Sequence, residues 1–224
     1  DVNKFIWSDQ DWDPETPVIE TLRDYARFFV SPDLTEEIAQ GILALEQNIE
    51  GPLLTNEYVS KTLMQWQEIE KIASSELQSN FRYQMALIRA YFDAYTQKRL
   101  IYETWLEQKA KEELGKYQTL GFEQAIAKGK STLAKAWEEP VEPDLKQRCE
   151  ELADDLYASI GAQLTIEKHG AMGGRGNFLD NIDNPLNDVA WIYSQLSKAE
   201  KISDDQEKIE IIESILRRTN PGPG

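Results

Sequence analysis

Apolar residues recur along this chain three and four positions apart, the period of an α-helix with one buried face. Val18, Leu22, Tyr25 and Phe29 form the first such stripe, and Thr16-Pro17 ahead of them supplies a cap and a proline suited to the first helical position. Ser31-Pro32-Asp33 breaks that helix and opens a second, whose stripe is Ile38, Ile42, Leu45 and Ile49 and whose end is Gly51-Pro52. Thr55 or Asn56 caps a third, carrying Val59, Leu63, Trp66, Ile69 and Ala73. The longest periodic segment runs from about Phe81 to Leu114 and is apolar on two sides. One side holds Phe81, Met85, Ile88, Phe92, Tyr95, Tyr102 and Leu106, the other Leu87, Tyr91, Ala94, Ile101 and Trp105. A helix of that kind is expected centrally, with neighbours on both sides. Lys98 and Arg99 interrupt the stripes as candidate buried or half-buried charges, and Arg82, Arg89 and Asp93 are spaced to bridge along the helix.

Further on, Phe122, Ile126, Leu133 and Trp137 make one face, and Leu145, Cys149, Leu152, Leu156 and Ile160 another, with a break between Pro140 and Pro143. Two helices close the chain, around Val189, Ile192 and Leu196 and around Ile209, Ile212 and Leu216, with Ser203 and Gln206 spaced as a capping box for the last. Between the Leu145–Ile160 stripe and these two helices, residues 168–188 lose the period and gather Gly170, Gly173, Gly174, Gly176, Pro185 and several Asn and Asp. Long loops inside compact domains are often functional. No alternating strand pattern and no fixed-period repeat is visible. The predicted fold class is all-α: a multi-helix bundle of about eight or nine antiparallel-neighbour helices, with one long central helix and one long Gly/Asn/Asp-rich loop. The predicted organisation is an irregular acidic arm over 1–16, a single helical domain over 17–218 and a linker stub over 219–224. The start at Asp1 and the Asn220-Pro221-Gly222-Pro223-Gly224 end read as those of a domain excised from a longer protein.

Composition narrows the partners. The 224 residues are 41% hydrophobic and 29% charged, which suits a globular chain and not a disordered one. The net charge of -16 repels phosphate backbones and anionic lipid, so neither nucleic acid nor a membrane surface is an expected partner, and the excess acid serves solubility. No apolar run is long enough for membrane insertion. The single cysteine, Cys149, sits on an apolar stripe and is read as a buried thiol.

The chain is poor in catalytic signals. His169 is the only histidine, so two-histidine zinc signatures are absent. Asp9, Asp11, Asp13 and Glu20 match some calcium-loop positions, but Pro14 stands where that loop needs glycine, and a solvated acidic arm is the better reading. Gly173-Gly174-Arg175-Gly176-Asn177 lacks the lysine and hydroxyl of a phosphate loop. No catalytic residue, metal ligand or cofactor is assigned. The candidates for ligand or domain contact are Arg175, Asn177 and Asp180 in the loop, with an Arg175–Asp180 salt bridge as the purely structural alternative, and Trp7 and Trp12 in the arm. Trp66, Trp105 and Trp137 fall on helical stripes and are read as core.

Several stretches together resemble a known region. These are Asp1-Val2-Asn3-Lys4-Phe5-Ile6-Trp7, Asp11-Trp12-Asp13-Pro14, Leu22-Arg23-Asp24-Tyr25-Ala26-Arg27-Phe28-Phe29 and Leu43-Ala44-Leu45-Glu46-Gln47-Asn48. Phe81-Arg82-Tyr83-Gln84-Met85, Arg89-Ala90-Tyr91-Phe92-Asp93-Ala94-Tyr95 and Arg175-Gly176-Asn177-Phe178-Leu179-Asp180 complete the set. They resemble the helical region that follows the catalytic (β/α)₈ barrel in large secreted bacterial proteins of glycoside-hydrolase type. The resemblance implies a non-catalytic accessory domain. Its partners would be the adjoining catalytic domain of the same polypeptide and a poly- or oligosaccharide, and it would be exported to the periplasm or cell surface. The family's catalytic acids lie in the barrel, so none is carried onto this chain. The alternative is a helical protein–protein interaction scaffold unrelated to sugars; an intact small enzyme is the third reading.

Overall fold

A computed structural model describes residues 1–219. The chain is all-α, as expected: 73% of it is helical and no strand occurs among the described residues. Its α-helices are α1 (Val2–Trp12), α2 (Val18–Phe29), α3 (Thr35–Gln47), α4 (Tyr58–Ile72), α5 (Ser75–Gln78), α6 (Phe81–Leu114), α7 (Tyr117–Leu120), α8 (Phe122–Glu138), α9 (Pro143–Ile160), α10 (Ile166–His169), α11 (Val189–Ala199) and α12 (Asp205–Arg217). A 3-10 turn at Leu53–Thr55 joins α3 to α4. The long helix predicted from Phe81 to Leu114 is α6, unbroken over 34 residues.

The single domain expected over 17–218 resolves into two compact units. One comprises Asp1–Tyr95 and Asp144–Ile182, the other Thr96–Pro143 and the chain from Asp183 onward. The hydrophobic period marks which faces are buried but carries no information about which faces share a core, and for that reason the division is invisible in the sequence.

In the first unit, Leu22, Ile38, Trp66, Tyr83, Leu87 and Leu152 are central members of the core. Trp66 is fully enclosed, and its indole N–H donates to the Gly41 carbonyl at 3.1 Å. A Cβ at position 41 would lie 3.0 Å from the indole ring, so glycine is what lets α3 and α4 approach this closely. Asn56 fixes the turn between them. Its side-chain N–H donates to the carbonyls of Gln47, Asn48 and Glu50 at 2.9, 3.0 and 3.0 Å, and its Oδ1 accepts from the Tyr58 amide at 2.8 Å. The cap expected of Thr55 or Asn56 is not formed as such: the residue at the start of α4 is Glu57, without a side-chain cap bond, and Asn56, one position earlier, closes the preceding turn instead. Buried carbonyls left over at a helix end are otherwise costly, and one side chain here satisfies three.

The second unit has its own core, with Leu114, Ile126, Leu133, Ile192, Leu196 and Ile212 at its centre. Of the two charges that interrupt the α6 stripes, Lys98 is exposed and Arg99 is buried. The Arg99 guanidinium donates to Glu103 at 2.7 Å and to the Asn184 carbonyl at 2.7 Å, so burial is matched by charge-assisted bonds.

Four further expectations are corrected. The irregular arm at 1–16 is a helix for most of its length. Val2, Phe5, Ile6, Asp9 and Gln10 turn inward at helical spacing, a weak period that the Asp- and Trp-rich composition conceals. Trp105 and Trp137 are not core: they are 49% and 50% exposed. Their stripes continue a helical period past the stretch that a neighbour covers. The last helix is capped by Asp204, not by a Ser203–Gln206 box, because the Asp204 carboxylate reaches the amides of Gln206 and Glu207 at 2.7 and 3.3 Å. α2 begins at Val18 with Pro17 as the flanking residue and no side-chain cap, so Thr16 does not close that end. Of the linker stub expected at 219–224, all but Thr219 lies outside the described residues.

Gly41→Ala is expected to destabilise the protein by about 1–3 kcal/mol, the usual cost of forcing an added methyl into a packed contact. Urea unfolding followed by circular dichroism measures it; an unchanged midpoint would show that Trp66 yields without cost.

Candidate functional site

The loop predicted over 168–188 begins later than expected, because its first two residues belong to the single-turn helix α10. Thr165 caps that turn, its side chain accepting from the Lys168 amide at 3.2 Å, and Gly170 ends it in a left-handed conformation at φ 66° that favours glycine. The following stretch folds back on it. Ala171 and Leu179 donate their amides to the carbonyls of Thr165 and Leu164 at 3.0 and 3.1 Å. Phe178 packs on Phe92 with ring centroids 4.2 Å apart, and Leu179 and Ile182 enter the core of the first unit.

The three loop residues singled out in the sequence separate into two roles. Asn177 and Asp180 come together, the amide donating to the carboxylate at 2.8 Å. The same carboxylate accepts from the Ile166 amide at 3.0 Å. Asp180 is thereby committed to holding α10 and the loop together. Arg175 is exposed and makes no ion pair among the described residues, so the Arg175–Asp180 salt bridge is not formed. Two glycines, Gly174 and Gly176, flank Arg175 with positive φ, a conformation that favours glycine on both sides of this exposed side chain.

The loop's base carries an arrangement that sequence alone did not reveal. His169 is buried, its Nε2 lies 3.0 Å from an Asp154 carboxylate oxygen, and its ring stacks on Tyr157 at 5.0 Å. Its other nitrogen lies 3.4 Å from the Thr165 hydroxyl, and Lys168 bonds the second Asp154 oxygen. Carboxylate, imidazole and hydroxyl thus stand in the order of a nucleophilic relay. The chemistry does not follow. The imidazole is sealed from solvent, and the hydroxyl already serves as the helix cap. The group is a staple that ties the loop to α9. The fifteen-residue separation of His169 from Asp154 has no helical regularity across Gly161, so no spacing signal could have found it.

Burial pushes the Asp154 carboxyl up, but hydrogen bonds from Lys168 and His169 outweigh it and hold the group below the usual aspartate range. A depressed folded-state pKa means a contribution that is complete above the unfolded value and lost as pH falls through the lowered one. The loop is therefore expected to keep its protection at neutral pH and to loosen only as pH drops below the unperturbed value of 3.8. Hydrogen exchange of the amides of residues 165–182 reads this directly. Asp154→Asn should speed that exchange at neutral pH and flatten its dependence on acid; unchanged exchange would remove the staple's role.

The arm's two tryptophans lie on α1. That helix is seated by Val2 and Ile6 against the first unit's core and by Asp1, which accepts from the Tyr25 hydroxyl at 2.6 Å and from Arg82 at 2.8 Å. Trp7 and Trp12 are left 68% and 90% exposed. The acidic residues of the arm do not form a calcium loop: Asp9 and Asp11 are in α1, and Asp9 accepts from the Thr21 hydroxyl. No group of three or more His, Cys, Asp or Glu is gathered as a metal site among the described residues, and no helix there is long and apolar enough to cross a membrane.

Cys149 is buried, and burial pushes its thiol up to about 12, with the nearby Glu150 and Asp93 charges adding to the effect. A thiolate is needed for attack or metal binding, so this group is inert in the folded protein. Ellman's reagent should leave Cys149 unmodified under native, mildly alkaline conditions and label it fully in guanidinium chloride. Rapid native labelling would contradict its burial.

No family model matches this chain, and neither a curated protein nor a solved structure matches it.

Proposed function

We propose that this chain is a non-catalytic helical accessory module of a multidomain carbohydrate-active protein of glycoside-hydrolase type. In this reading it buttresses the catalytic barrel and contributes aromatic contacts to the adjoining domain or to an oligosaccharide. Its place would be the periplasm or surface of a bacterium.

The observation that supports the reading best is α1. Its inward residues are anchored by apolar packing and two hydrogen bonds from Tyr25 and Arg82, yet both of its tryptophans are left on the solvent side. Exposed indoles on an anchored element suit a surface made to be covered. Their faces stack on sugar rings or pack on protein, and their N–H groups find acceptors in either. Arg175 is a second exposed donor, on a loop in which Asn177 and Asp180 are spent on its own fold. The His169–Asp154–Thr165 arrangement, sealed and structural, adds no catalytic centre to this picture.

Cello-, xylo- and malto-oligosaccharides titrated against the intrinsic tryptophan fluorescence provide the test. One series is expected to shift the emission, and Trp7→Ala or Trp12→Ala is expected to weaken that binding by roughly two- to tenfold, as the loss of one aromatic contact does. The sequence of the full-length gene product provides the second arm. A (β/α)₈ barrel preceding this region supports the buttress role. Helical repeats there would favour a protein-interaction scaffold, and a gene encoding this stretch alone as a self-sufficient hydrolase would end the proposal.

A further inference from the structure

The first unit contains a cavity of about 320 Å³ beside α3, at the lower end of the range for small-molecule sites. Ile42 and Leu45 of α3, Ile49 just beyond it, and Met85 and Ala86 of α6 line it. The Trp66 and Tyr25 rings also belong to the wall, and their donors are engaged within the protein: the indole N–H bonds the Gly41 carbonyl at 3.1 Å and the Tyr25 hydroxyl bonds Asp1 at 2.6 Å. The α3 stripe explains why the space exists. Ile38 is buried in the core, while Ile42 and Leu45 are only half covered and Ile49 is exposed, so the apolar face outruns the packing available to it. Glu46 and Met85 are exposed with Ile49, and the cavity is open to solvent at these residues.

Charge around the cavity cancels. The cations on the lining are Arg82, Arg89 and the Asp1 ammonium, and its carboxylates are those of Asp1 and Glu46. The Asp1 carboxylate holds Arg82 at 2.8 Å, and Asp93, outside the lining, holds Arg89 at 2.8 Å. Three cations therefore meet three carboxylates, and neither sign is in excess. A charged occupant would lose hydration against a wall that offers no surplus of opposite charge, which is costly. Water is poorly served too, because apolar walls give it few partners, and protein interiors leave few voids of this size. An apolar cavity of about 150 Å³ is enough for benzene, so roughly twice that volume suits a bicyclic body. We propose that this cavity is a binding site for an uncharged, mainly hydrocarbon molecule of about bicyclic size, seated against Ile42, Leu45, Ala86 and the Trp66 indole. Trp7 and Trp12 are not on its lining, so the site stands independently of any glycan role.

Indane, aminoindane and indanecarboxylate share a bicyclic body and are neutral, cationic and anionic at neutral pH, and calorimetric titration of the intact chain with each tests the proposal. Indane is expected to bind, and each charged derivative to bind at least roughly tenfold more weakly, as the burial of an unmatched charge requires. Ala86→Leu, which adds bulk to the wall, should abolish indane binding; Ile42→Phe serves the same purpose if circular dichroism shows that the first variant does not fold. Trp7→Ala and Trp12→Ala should leave indane binding unchanged. No indane binding to the folded protein, a charged derivative that binds as tightly as indane, indane binding that survives filling of the cavity, or its loss on removal of either α1 tryptophan would each overturn the proposal.

Discussion

The contact of the Trp66 indole with the bare backbone of Gly41 governs the first unit. It sets the separation of α3 and α4, with the indole N–H engaging the backbone that it covers. The same ring lies 6.1 Å from that of Tyr83, which brings α6 into the arrangement. Asn56 then has to close the intervening turn tightly, and its single amide does so by serving three carbonyls. Large aromatic groups dominate such cores because they remove so much apolar area from water, but only where the opposing surface is cut to receive them.

Electrostatics works at a finer scale. Most ion pairs sit on the surface along single helices, where each contributes little. The consequential ones are few and half-buried or deeper. Arg148 joins Glu70 of α4 at 2.9 Å, and Glu70 also accepts from the Tyr91 hydroxyl at 2.6 Å, so one carboxylate links α4, α6 and α9. Burial, helped by the hydrogen bond to Glu70, pushes the Tyr91 phenol up to about 12, which keeps it a donor throughout the physiological range. In the other unit, Arg218 binds Asp188 at 2.5 Å and lies over the Trp191 ring, so one guanidinium spans the segment before α11 and the end of α12.

The helices were legible because their stripes are regular. Leu145, Cys149, Leu152 and Leu156 repeat at three and four, and three of the four are buried on α9. α1 was obscured because its inward set includes Asp9 and Gln10, polar residues half-buried and held by hydrogen bonds rather than by hydrophobicity. The exposure of Trp105 and Trp137 could not be read, since a stripe records what a helix is able to bury and not where its neighbours stop. Within the candidate site, Asn177 and Asp180 were recognised as partners of something, and three-residue spacing in a glycine-rich turn does bring them together. That Asp180 would turn to the Ile166 amide and leave Arg175 alone depends on the chain reversing at Gly170, a tertiary fact. The cavity beside α3 was equally hidden, because Ile42, Leu45 and Ile49 look like ordinary core positions.

The first unit is assembled from two separated lengths of chain, residues 1–95 and 144–182. On the ribosome the first length emerges well ahead of the second, by several seconds at roughly 5–20 residues per second. The part of the core formed by residues 22–95 must wait through that interval for Leu152, Leu156 and Leu179 to complete it. The residues made meanwhile carry the helices of the other unit, which can close around Leu114 and Leu133 only once α11 and α12 have followed in turn. Neither core can be finished co-translationally before nearly the whole region has been synthesised. Chaperone capture of the nascent chain is therefore most favoured in the window before Leu152 appears, and premature termination there leaves the first unit's core without Leu152, Leu156, Leu179 and Ile182.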